Sequence, residues 1–312
     1  MAITSVREPS VGGPPPPVRR SAWGITARRR LAGYGLAAPG TAWLLLFFLI
    51  PAVMMVYTSL ESGGVMTGYR FNWAWGTYPE ALAGRAVFFG RSLEYALLTA
   101  LGTMVLAFPA VYWIAFYGGR RKSTLLFMIL LPYFVSFMIR TVMWKFILGD
   151  NGPLLATLKG WHVLSADFRV LATPFAVVMG LIYNYLPFSA LPLYVALERI
   201  DPALIEAAKD LFANRTQAFL RVVLPLSLPG VFAATLLTFV PATGDYVEAE
   251  ILGSPSTRMI GNIIQNDFLV NADYPKAAAL SLVLMLGMVI LTSIYARFLG
   301  TEDEIVAAAV TA

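Results

Sequence analysis

Six stretches of the chain are apolar and nearly free of charge: Leu31–Leu60, Tyr95–Gly119, Ser123–Trp144, Val170–Leu197, Val222–Gly244 and Ala277–Ala296. A helix rising 1.5 Å per residue crosses about 30 Å of hydrocarbon in roughly 20 residues, and each stretch is long enough. None alternates apolar and polar positions as a barrel strand does. The pattern predicts six transmembrane helices, with Arg140 in the third as the only charge inside a window. Pro51, Pro109, Pro132, Pro187 and Pro192 fall within the windows. They are compatible with membrane helices because neighbouring helices and hydroxyl side chains satisfy the freed backbone groups. Trp43, Tyr57, Trp113, Tyr117, Trp144, Tyr194 and Tyr295 lie near the expected ends, as interfacial belts or as core.

Composition agrees with the pattern. Of 312 residues, 58% are hydrophobic and 13% charged, against about 45–50% and 25% in soluble domains. An ordinary soluble enzyme, a disordered chain and a disulfide scaffold are excluded. With no cysteine and one histidine, thiol catalysis and Cys/His metal sites are excluded too, and no cofactor is expected. The basic residues are unevenly spread. Fourteen Lys and Arg fall on the side of the N-terminal segment, the Arg120–Lys122 loop, the Arg199–Arg221 loop and Arg297, and eight on the other. The positive-inside rule then places both termini of a multi-pass membrane protein in the cytoplasm. The first helix is too long for a cleaved signal, and no small-residue cleavage site follows it. Residues 1–30 read as a disordered basic tail, 31–300 as the membrane domain and 301–312 as a C-terminal tail.

The segment 198–228 is unlike the other connections. Asp201 before Pro202 makes an N-cap and first-turn pair. Ile200, Leu204, Ala207, Ala208 and Leu211 recur at helical spacing, so a short amphipathic helix follows. A turn is expected near Ala213–Asn214, then a second helix over Thr216–Val223 ending before Pro225. Such helices lie on a membrane or seat in a partner protein, and the residues leave both open.

Glu206-Ala207-Ala208, then nine residues after position 212, then Val222-Val223-Leu224-Pro225, resembles the EAA loop of ABC importer permeases. Asp201-Pro202, Asp210-Leu211, Phe219, Pro229-Gly230, Gly244-Asp245-Tyr246-Val247, Ile260-Gly261-Asn262 and Tyr274-Pro275 resemble the spermidine/putrescine (PotB-type) branch. The resemblance covers about residues 36–300. It implies an all-α type I (MetI-like) permease fold and a coupling role for Glu206, Ala207, Ala208, Asp210, Phe212, Leu224 and Pro225. It also implies three partners: a cytoplasmic ABC ATPase dimer, a second permease and an extracytoplasmic binding protein. No GxxxxGK[ST] loop occurs in the chain, so ATP would be hydrolysed by the ATPase. One position departs from the family pattern. Its glycine falls on Phe212, where a left-handed turn costs about 1–2 kcal/mol. Either Asn214 takes that conformation instead, or Phe212 enters a pocket of the ATPase.

A path for polycations needs carboxylates, carbonyls or aromatic faces. On a helix begun at Val231, Asp245 stands about 21 Å along the axis, with Glu248 at i+3 on the same face. Asp245, Tyr246, Glu248 and Tyr185 are the candidate pathway residues, and Tyr183 and Phe188 are either lining or core. A break near Pro241 would instead leave the acidic residues in an external loop. Arg140 either pairs with a carboxylate such as Asp245 or reaches outward beside Lys145. The function that follows is the permease half of an ABC importer for polyamines. Its rivals are a permease for another small solute and a stand-alone secondary transporter.

Overall fold

The computed structural model describes residues 22–299, with side chains from 38 to 297. The tails at 1–21 and 300–312 lie outside them. The first unit holds most of α1 (Ala22–Ser59), which starts inside the segment read as a tail. The second unit begins at Met55. After the last turn of α1 it holds a hairpin, β1 (Glu61–Gly64) paired antiparallel with β2 (Gly68–Phe71). The helices that follow are α2 (Thr77–Leu82), α3 (Ala86–Tyr117), α4 (Lys122–Leu130), α5 (Phe137–Ile147), α6 (Pro153–Gly160), α7 (Pro174–Glu198) and α8 (Pro202–Asp210). Then come α9 (Arg215–Ala218), α10 (Leu224–Gly244), α11 (Val247–Ile251), α12 (Ile260–Leu269) and α13 (Tyr274–Leu299).

Among the described residues, five helices are long and apolar enough to cross a membrane. The third expected span is not one rod. Gly119–Phe134 and Phe137–Ile147 meet at 90°, and the pair counts as a sixth span only if taken together. Pro132 lacks an N–H and Val135 is extended (ψ 143°), so the helical ladder stops there and restarts after Ser136. The fifth span is longer than expected. The helix after the turn does not stop before Pro225 but continues as one rod over Arg215–Gly244. A π-helical stretch, Phe219–Val223, widens the backbone just before Pro225, where the missing N–H breaks the ladder.

The core is the contact of α3, α7 and α10. Ala107, Val111, Ala190, Leu193 and Ala234 are buried in it. Small residues matter here because helices in hydrocarbon gain from close backbone approach. Gly230 of α10 faces Ala196 and the Pro192 carbonyl of α7, and a Cβ would stand 2.9 Å from that oxygen. Ser189 and Thr238 share a buried hydrogen bond of 2.7 Å between the same two helices. At the end where α3 begins, Arg85 pairs with Asp267 of α12, and the Ser92 hydroxyl accepts from the Ile260 N–H at 2.9 Å.

Gly230→Ala is expected to destabilise the fold by about 1–3 kcal/mol, since a packed core resists added volume. Gly287→Ala, with nothing within 4 Å of the new Cβ, is the neutral control. Thermal unfolding of the two purified variants checks the difference.

Candidate functional site

The second departure from helix is at the far end of α10. Gly244 is the last helical residue, Asp245 is extended (φ −66°, ψ 140°) and α11 starts at Val247. Asp245 and Glu248 therefore do not share one helix face. The break falls after Gly244, with Pro241 still inside the helix. Asp245 supports the break itself: one oxygen accepts from the Val247 N–H at 2.9 Å, and the other from the Tyr185 hydroxyl at 2.9 Å. Gly261 of α12 permits the approach of α12 to the broken backbone, because a Cβ there would lie 2.5 Å from the Gly244 carbonyl oxygen and 3.0 Å from that of Asp245. Asn262 donates to the Tyr246 carbonyl at 2.9 Å and to Glu250 at 3.1 Å, so the short helix α11 is tied to α12.

Glu248 is fully buried. One of its oxygens accepts from the Asn184 amide and from Thr141 Oγ1 at 3.4 Å. Among the described residues its other oxygen has no hydrogen-bond partner, and neither has Asn184 Oδ1. Gly180 of α7 lets α11 approach this closely, because a Cβ there would come within 3.2 Å of Glu248 Cγ. The carboxylate is thus held by α5, α7 and α11 together.

Arg140 is 6% exposed, one residue before Thr141. Neither expected arrangement is found: among the described residues it pairs with no carboxylate, and it does not reach outward. Its guanidinium lies against the rings of Tyr133, Phe137 and Tyr183, 5.6–6.0 Å from their centroids. Its Nε and Nη1 have no hydrogen-bond partner among the described residues. In front of it is a cavity of about 530 Å³ lined by Tyr133, Phe137, Arg140, Asn184, Tyr185 and Phe188, among others. Of the sequence candidates, Asp245, Glu248 and Tyr185 gather behind or around this cavity, while the Tyr246 side chain is exposed. Asn184 and Thr141 were not singled out from sequence. An asparagine within an uncharged span was the available signal, because such a side chain seeks a partner across helices.

The coupling candidates sit at the opposite end of α10. Asp201 caps α8 by accepting from the Ala203 N–H at 2.9 Å. Glu206, Ala207 and Asp210 are exposed and Ala208 is half-buried. Phe212 itself takes the left-handed turn (φ 62°). The Ala213 N–H bonds the Ala208 carbonyl at 3.0 Å and the Phe212 N–H that of Lys209 at 2.9 Å, so phenylalanine fills the place in a Schellman cap where glycine is usual. Asn214 does not move the turn. It is extended and caps α9 in a reciprocal pair with Gln217. Leu224 and Pro225 are half-buried at the start of α10.

Residues 33–299 match the family described as binding-protein-dependent transport system inner membrane component. The chain belongs to that family. It is 34% identical over 259 residues to the spermidine/putrescine transport system permease protein PotB of Haemophilus influenzae, covering 82% of this chain and 90% of that protein. PotB of Escherichia coli K12 is 33% identical, over 82% of this chain and 93% of the other. Among solved structures, a chain of a bacterial ABC transporter involved in import of the acidic polysaccharide alginate superposes with a TM-score of 0.62 at 18% identity. That match covers 88% of this chain and 98% of the other. The fold is that of the type I ABC importer permeases, and the protein is a multi-pass inner-membrane transport subunit.

Gly261→Ala should lower transport at least about tenfold while the permease still inserts. The colliding atoms are backbone and cannot rotate away, and a cost of about 1–3 kcal/mol at the break is enough. Uptake assays beside quantification of the membrane-inserted chain check it.

Proposed function

We propose that this permease forms half of the membrane pathway of an ATP-driven polyamine importer. The carrying observation is the similarity, over most of both chains, to permeases named for spermidine and putrescine. The chemistry of the break supports it. Two carboxylates, Asp245 and Glu248, stand behind the Asn184 and Tyr185 lining of an aromatic cavity. Carboxylates at membrane depth attract ammonium groups, and aromatic faces carry the methylene chain and its charge. Tyr185 orients Asp245, and Tyr246 presents its ring beside the break.

The same reading gives α8 to a cytoplasmic ATPase, with a second permease and an extracytoplasmic binding protein completing the assembly. Phe212 is 97% exposed. Strain of about 1–2 kcal/mol at an exposed phenylalanine stabilises nothing within this chain, and such outliers gather where a surface is shaped for contact. Leu204 and Leu211 extend the same exposed apolar tip, and Glu206 adds a charge beside them. The tip is firmly mounted. Ile205 and Phe219 both pack against the core, and Phe219 meets the rings of Phe108 and Tyr112 edge-on at 5.9 and 5.6 Å. A push on α8 is then delivered to α3 and to the foot of α10.

Four outcomes check this reading. Glu206→Arg should abolish co-purification of the ATPase with a normally inserted permease; retention of full ATP-coupled uptake would sink the docking role. Phe212→Gly should stabilise the isolated permease by about 1 kcal/mol while weakening ATPase association, read by thermal unfolding and pull-down. Putrescine uptake by the assembled importer, lost in Asp245→Asn and Glu248→Gln, tests the substrate. Uptake that persists without ATP would favour a secondary transporter.

A further inference from the structure

The arginine at the cavity is unexpected in a path for cations. A buried guanidinium without a hydrogen-bonded counter-ion is costly, and cation–π contacts offset only part of that cost. Arg140 keeps two donor nitrogens unpaired. Asn184 Oδ1 and Glu248 Oε2 are likewise buried without a donor among the described residues. Asn184 and Arg140 line one cavity, and Thr141, the next residue along α5, already touches Glu248. Unpaired donors of Arg140 and the unpaired acceptor residue Asn184 therefore belong to the lining of one cavity, with Glu248 bonded directly behind Asn184. The helix that carries Arg140 begins immediately after the 90° break at Val135–Ser136.

Resting on the polyamine reading, we propose that Arg140 is a tethered competitor for substrate. Its guanidinium has two positions. One is the aromatic cradle of Tyr133, Phe137 and Tyr183 seen here. The other is on the acceptors of Asn184 and Glu248, which a substrate ammonium would otherwise hold. The physical need is clear. A flexible polycation meeting two carboxylates in low dielectric would bind tightly and stay, whereas transport requires a site weak enough to leave. A resident cation that retakes the acceptors as each ammonium departs keeps the site a relay. Arg140 thus sets the affinity of the pathway without being required for binding.

The test measures binding and turnover separately. In the full-length permease in nanodiscs, spermidine-dependent thermal stabilisation should reach half-saturation at a concentration at least tenfold lower in Arg140→Gln than in the wild type. Arg140→Lys should restore the weak binding. In the assembled importer, Arg140→Gln should lower both the half-saturating substrate concentration and the maximal uptake rate, a split that general misfolding does not produce. Tyr183→Leu, which removes part of the cradle, should weaken spermidine binding further. Equal or weaker binding in Arg140→Gln, or tighter binding in Tyr183→Leu, overturns the proposal. If the wild-type importer takes up neither spermidine nor putrescine, the polyamine reading falls and this proposal with it. If uptake is normal but Arg140→Gln binds no more tightly, only the role of Arg140 falls.

Discussion

Hydrocarbon offers a chain no water, so every backbone group freed by a broken helix must find its partner in the protein. That constraint governs where this fold leaves the helix. The stop at Val135–Ser136 and the stop at Asp245–Tyr246 are both set against α7. At the second, the chain supplies its own substitutes: the Asp245 carboxylate takes the Val247 N–H, and Asn262 donates to the Tyr246 carbonyl. Glycines 180 and 261 remove the side chains that would hold the partners apart. A concentration of polar groups is therefore possible in an otherwise apolar bundle, and the cavity forms beside it.

The continuous rod Arg215–Gly244 joins that polar site to the opposite end of the bundle. Its foot carries the π-helical stretch before Pro225, and it packs along α3 and α7 through alanine, glycine and a buried Ser–Thr hydrogen bond. A rigid, closely packed rod has few ways to absorb a displacement within itself. At its far end is the break, where the backbone changes direction and a hydrogen-bonded carboxylate closes the turn. The strained Phe212 cap and the unpaired buried groups lie at the two ends of this one element.

Much of the architecture was legible in the residues alone. Uncharged windows longer than a bilayer is thick specify spans whatever their packing, because no other environment accepts them. The Asp201-Pro202 cap, the amphipathic α8 and the loop carrying Glu206 follow from local chemistry, since capping and periodicity are decided within a few residues. Local rules reached their limit at the third and fifth spans. Apolar composition looks the same in a straight helix and in two arms at 90°, and a proline is compatible with either. Asn214 looked the better residue for a left-handed turn by intrinsic preference, yet the Schellman hydrogen bonds of α8 fall on Phe212 and override it.

The sequence by itself determined that this chain lives in a membrane, how many apolar segments it has, and which loop bears a capped amphipathic helix. These depend on hydrophobicity and on interactions within one or two helical turns. Only the tertiary structure decided which polar residues meet. Thr141, Asn184 and Glu248 are far apart in sequence, on α5, α7 and α11, and are joined by close helix packing. Arg140 is held by three rings instead of the carboxylate its charge suggested. Such pairings are set by distances between helices, which a linear pattern does not contain.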